Sequence, residues 1–136
     1  MTTKEWLAQY QAALRLATRY FDDYGALTKT LLQSPTLTAM PRGGKQKDLA
    51  DVVAQMERLR ARAEKARERY LIIAEEIETA IDAVPDIRES GVLRLRYILG
   101  RHWYEIAEAM HVSEATVYRI HGNALKHVQR PKNDSP

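Results

Sequence analysis

The chain has 136 residues and a formal net charge of +3, from 21 Lys and Arg against 18 Asp and Glu, with no cysteine. That length suits one ordinary domain, or a small domain with an appended helical element, and the missing cysteine excludes disulfide staples, thiolate zinc sites and cysteine nucleophiles. A composition rich in Ala, Glu, Arg and Leu with few turn residues predicts an all-α fold.

Residues 1–85 carry 13 basic and 12 acidic side chains and residues 86–136 carry 8 and 6, so any nucleic-acid surface must come from placement rather than bulk charge. The start "MTTKEWLAQY" is amphipathic at once, without the apolar core of a secretion signal. No apolar run approaches the roughly 18–20 residues of a membrane span. A cytoplasmic protein with no membrane partner is expected.

Residues 3–32 place Trp6, Tyr10, Ala13, Ala17, Tyr20, Tyr24, Leu27 and Leu31 alternately three and four residues apart, with Leu7, Leu14 and Phe21 widening the stripe. Such a stripe is wider than one neighbouring helix covers. The link "QSPTLTAMPRGGKQ" has the proline and glycine content of a loop. Residues 48–84 then repeat the spacing through Leu49, Val52, Met56, Leu59, Ala63, Ala66, Tyr70, Ile73, Ile77, Ala80 and Val84, over five heptads. This predicts a helix packed along its length against another, started near Gln46 or Asp48 and limited by Pro85. Together the two segments predict a long antiparallel, coiled-coil-like helical hairpin over 1–85. Ala63 and Ala66 would sit near its middle, and its uncovered apolar edge would make a homodimer or dock on a partner. The run "ERLRARAEKARERY" alternates charge sign, as a solvated helix does, and is not a basic arm.

Beyond Pro85 the elements shorten. "DIRESGVLRLRYILG" predicts a helix of about 12 residues with Val92, Leu93, Tyr97 and Ile98 inward, stopped by Gly100. "HWYEIAEAM" follows as a two-turn helix, then the turn "HVS", then the helix "EATVYRIHGNALKHVQ" up to Pro131. Two helices joined by three residues, with a small Ala107 at the crossing, Ile106 and Met110 beside it, Val112 inward in the turn and Val117, Ile120 and Ala124 or Leu125 inward on the second helix, satisfy the requirements of a helix-turn-helix. Ser113 would cap the second helix. His111 stands where the turn needs a positive φ, at moderate strain. Residues 86–131 are thus expected to form a three-helix helix-turn-helix domain, and 132–136 a disordered tail.

That packing leaves Glu114, Ala115, Tyr118, Arg119 and Gly122 on the outer face of the last helix. In a duplex-binding helix-turn-helix this face enters the major groove. Arg119 would take guanine or phosphate, Glu114 would accept from cytosine N4, and Ala115 would touch a thymine methyl. Lys126 and Arg130 would contact phosphates, as would Arg101, His102 and the start of the Trp103 helix. Ser113, Thr116 and Asn123 complete the expected DNA-binding set. Gly122, costly inside a helix by about 1 kcal/mol, marks either a close approach or a tolerated weak spot. All four histidines, His102, His111, His121 and His127, lie in this window. Their spacing fits no common metal-ligand pattern, so no metal or cofactor is expected, and His121 and His127 are expected to face solvent or phosphate. No catalytic constellation is evident, and no enzymatic activity is expected.

The stretch "SGVLRLRYILGRHWYEIAEAMHVSEATVYRIHGNALKHVQRP" resembles region 4 of sigma-70-type factors, whose helix-turn-helix reads a promoter element. Within that superfamily the chain is most similar to small phage and prophage regulators of the RinA and ArpU type, which join a helical hairpin, often with an "MPRGG"-like loop, to such a C-terminus. The resemblance implies a sequence-specific DNA-binding transcriptional regulator reading duplex DNA with Glu114, Ala115, Tyr118 and Arg119. There is no counterpart of region 2, so a complete sigma factor is not implied. Two alternatives stand beside it. One is a region 4-like module that binds RNA polymerase or another protein; the other is the DNA-recognition subunit of a phage terminase.

Overall fold

The computed structural model describes residues 1–33 and 43–131, the side chains of 43–48 excepted, and every regular element among them is a helix. The expected tail at 132–136 and the middle of the expected link lie outside the described residues.

Helix α1 runs Thr3–Gln33 and α2 runs Gly43–Asp82. The apolar spacing is realised as burial. Along α1, Trp6, Tyr10, Ala13, Ala17, Tyr20, Tyr24, Leu27 and Leu31 are buried or half-buried, and so are the stripe residues from Val52 in α2 to Val84 just after it, whereas Leu49, expected to begin that stripe, is exposed. Two ends differ from expectation. α2 starts at Gly43 rather than near Asp48, taking in part of the expected loop, since glycine is acceptable at a helix start where the first amides have no intrahelical partner. It stops at Asp82, before Val84, with Ala83 and Val84 closing the last turn onto the Thr79 and Ile81 carbonyls.

The chain clusters into two compact units that cut across the expected boundary at 85. One is 13–70. The other joins 1–12 to the chain from Leu71 onward. The first turns of α1 belong to the second unit because Trp6, Leu7 and Tyr10 are buried there. Of the residues expected to widen the α1 stripe, Leu7 is fully buried, Leu14 half-buried and Phe21 exposed.

In the second unit α3 spans Ile87–Leu93, capped by Asp86, whose Oδ1 accepts from the Arg88 and Glu89 amides at 2.8 and 3.1 Å. The expected continuous helix widens at once into a π turn over Arg94–Ile98, where the Leu99 amide donates to the Arg94 carbonyl. The chain leaves the helix after Leu99, so the last carbonyls of the turn have no intrahelical partner. Gln11 Nε2 meets them, donating to the Ile98 carbonyl at 2.7 Å and the Tyr97 carbonyl at 3.4 Å. Gly100 then adopts φ +66°, and an added Cβ there would meet the Gln11 side chain at 3.3 Å. Val92, Leu93 and Tyr97 are buried as expected; the widened turn leaves Ile98 only half-buried.

α4 (Trp103–Met110) and α5 (Glu114–His127) follow, α5 ending two residues earlier than expected. Their core is Val92, Ile106, Ala107, Val117 and Ile120, with Leu95, Trp103, Met110 and Val112 packed against it. Between them His111 is left-handed at φ 58°. The His111 amide donates to the Glu108 carbonyl and the Val112 amide to the Ala107 carbonyl, the paired closure that ends a helix at a left-handed residue.

Candidate nucleic-acid interface

α5 is divided lengthwise. Val117, Ile120, His121 and Ala124 are buried, while Glu114, Ala115, Tyr118, Arg119, Gly122, Asn123 and Lys126 are exposed. The helix is started by Ser113, whose Oγ accepts from the Thr116 amide at 3.2 Å and lies 3.0 Å from the Thr116 hydroxyl. These two hydroxyls therefore hold the helix start, and Thr116 is half-buried. A cap of this kind contributes about 1 kcal/mol.

Tyr118 leans on Trp103, ring centroids 5.1 Å apart. Trp103, expected at the edge that would grip phosphate, is half-buried and packed. Its indole also meets the edge of His121 at 4.8 Å, and the Arg96 guanidinium lies over it at 4.3 Å. The neighbouring Arg101 and His102 are exposed. The His102 amide donates to Glu105 Oε1 at 2.9 Å, so one amide at the α4 start is occupied internally.

His121 corrects an expectation. It is 7% exposed, where solvent or phosphate contact was expected, because the α5 stripe turns it toward the π turn. There Nε2 and the Tyr97 hydroxyl share a hydrogen bond of 2.7 Å. Burial holds the imidazole down to about 4, and the nearby charges of Lys4 and Arg96 push the same way. At neutral pH it is an uncharged core residue. Burial raises the Tyr97 phenol, with Arg96 opposing. His127 is exposed but pairs with Glu89, so it ties α5 back to α3.

Arg130 is exposed, and its Nη1 donates to the Met1 carbonyl at 2.8 Å, joining the segment after α5 to the residues before α1. An open groove between α4 and the α5 start is lined by Tyr104, Ala107, Glu108, His111, Val112, Ser113 and Glu114. Its two carboxylates, Glu108 and Glu114, make this the acidic end of the surface. Among the described residues no group of three or more His, Asp or Glu is arranged to hold a metal ion, and no helix is long and apolar enough to cross a membrane.

The structure thus places Glu114, Ala115, Tyr118, Arg119, Gly122, Asn123 and Lys126 on one face. Ser113 and Thr116 lie at its head, Arg130 beyond its end, and Arg101, His102 and Trp103 on α4 and the turn before it. Lys4, Gln11 and Arg96 act at this region without having been singled out in the sequence. Their partners lie in distant segments, and no local spacing announces them.

No curated protein and no solved structure matches this chain. One family model, described as "Protein of unknown function (DUF1492)", matches residues 31–129, well over half of the chain, and the chain belongs to that family.

Proposed function

We propose that the chain is a sequence-specific, DNA-binding transcriptional regulator of phage or prophage origin. In this reading α4, the turn at His111 and α5 act as a helix-turn-helix of the sigma-70 region 4 kind, and α5 lies in the major groove. The observation that carries it is the lengthwise division of α5, with an apolar side turned inward and Glu114, Ala115, Tyr118, Arg119, Gly122, Asn123 and Lys126 left open to a partner. Arg119 and Glu114 carry base contacts, Lys126 and Arg130 phosphate contacts. α1 and α2 form the antiparallel hairpin that dimerises or docks on RNA polymerase. In a dimer the two half-sites would lie about a helical turn, or a multiple of it, apart.

Selection from random duplex fragments at low salt tests this. It should enrich a sequence, Arg119→Ala should relax that preference, and Lys126→Ala should weaken all sequences about equally. Failure to enrich any sequence overturns it. The acidic groove of Glu108 and Glu114 favours a second reading, in which this end meets a basic segment of a protein such as RNA polymerase. Under that reading Glu108→Lys abolishes capture of the protein partner and leaves no DNA affinity to measure.

A further inference from the structure

Two cations outside the helix-turn-helix act on α5 and have no carboxylate partner among the described residues. On the π turn, Arg94 is neutralised by Asp82 and Glu78. Arg96, two residues on, has no carboxylate among the described residues. Its guanidinium lies over the Trp103 ring, and its Nη1 donates to the Arg101 carbonyl at 2.9 Å. Stacking and one hydrogen bond hold the group in place and leave donors unused. The same indole supports Tyr118, the exposed aromatic of α5, so Arg96 and Tyr118 flank one ring.

Lys4 comes to this region from the other end of the chain. The start of α1 is fastened twice, by Arg130 on the Met1 carbonyl and by Gln11 on the Ile98 carbonyl. Lys4 lies between these two ties, is exposed, and has no ion-pair partner among the described residues. Its charge and that of Arg96 both act on His121, the residue before the exposed Gly122.

We propose that Lys4 in α1 and Arg96 in the π turn form a phosphate-binding edge beside the exposed face of α5, contacting the backbone of double-stranded DNA. The proposal rests on the DNA-binding reading above and adds to it the N-terminal helix as part of the interface. A guanidinium already ordered by an indole gives up little conformational freedom on meeting a phosphate. Because the contact is to the backbone, it strengthens binding to all sequences without choosing among them.

The test measures the affinity of the full chain for a mixed-sequence duplex and for any selected sequence across a salt series. Lys4→Gln and Arg96→Gln are each expected to flatten the slope of log affinity against log salt by about 0.9, the value for one lost phosphate contact, with unchanged sequence preference. Arg94→Gln, on the same turn but already paired, leaves the slope as in the wild type. Thermal unfolding of each variant separates loss of fold from loss of contact, and Lys4→Gln, a change at an exposed side chain, keeps the test decisive if Arg96→Gln disturbs Trp103. Wild-type slopes in folded Lys4→Gln and Arg96→Gln, with normal binding by the parent, overturn the edge and leave the DNA-binding reading intact. A parent that binds no duplex at low salt overturns both.

Discussion

The two compact units are built on different terms. Residues 13–70 contain long stretches of α1 and α2, yet among their described side chains only Ala17 and Ala63 are buried apolar residues. The rest of their heptad stripe is half-exposed, and Leu49 is exposed. The unit formed by 1–12 and the chain from Leu71 onward holds Leu7, Ile77, Ile81, Val92, Leu93, Ile106 and Val117 without measurable exposure. Closely similar spacing therefore ends in different burial. A stripe at three-four intervals specifies which side of a helix turns inward, whereas the depth of burial depends on how many elements converge on it. Where the short helices after Pro85 converge, whole side chains are buried; along the long stretches of 13–70 one edge is.

The largest expected effect tests that contrast. Ile106→Ala is expected to destabilise by about 2–5 kcal/mol, the range for truncating a fully buried aliphatic residue. Phe21→Ala, at a residue 39% exposed, is expected to lose no more than about 1 kcal/mol. Denaturant midpoints of the two variants measure the difference. Equal losses would break the comparison, because the stripe of 13–70 would then be covered in solution by another copy of the chain or by a partner, as the homodimer expectation requires.

Next comes acid. The His121 imidazole is held at about 4 in the folded chain, against an ordinary value near 6.5. Above pH 6.5 neither state binds the proton and the contribution is fully present. As pH falls from 6.5 towards 4 the unfolded chain takes the proton first, and stability drops by at most about 1.4 kcal/mol per pH unit. His121→Gln keeps a polar partner for Tyr97 but does not titrate, so its unfolding midpoint should fall less between pH 7 and pH 4.5 than that of the parent. Parallel pH profiles would mean that His121 is hydrated and that the second unit is looser than its burial implies.

Much of this was legible along the chain. The stripe residues from Trp6 to Leu31 and from Val52 to Val84 are the less exposed side of their helices, and Ser113, His111, Val117 and Ile120 do what their local pattern requires. These are short-range rules, and they read well because the partner of each residue is three or four positions away. The π turn was not legible, since no local spacing marks an extra residue in the ladder, and the carbonyls at its end are met by Gln11 from 87 positions back. His121 was legible only in part. Four residues after Val117 and three before Ala124, it falls on the inward stripe of α5, but its hydrogen-bond partner is Tyr97, 24 residues earlier, and no local spacing announces that pairing. Trp103 shows the same limit: its position at a helix start suggested phosphate, while Arg96, Tyr118 and His121 converge to pack its ring.

The smallest expected stability effect is also the one that links fold to face. Gly122 is an exposed glycine in the middle of α5, and a Cβ built there meets nothing within 4 Å. In the free protein Gly122→Ala should therefore stabilise, by up to about 1 kcal/mol, because alanine loses less backbone entropy in a helix. If α5 approaches a phosphate or a base edge closely at this point, the added methyl occupies space the duplex needs. The variant should then melt higher and bind DNA more weakly, two shifts of opposite sign that no general loss of fold can produce. A thermal scan and a titration with duplex DNA read both. Higher melting with unchanged DNA affinity would make the glycine a weak spot of the helix alone, and would move the closest approach of the duplex toward the Tyr118 and Arg119 end of the face.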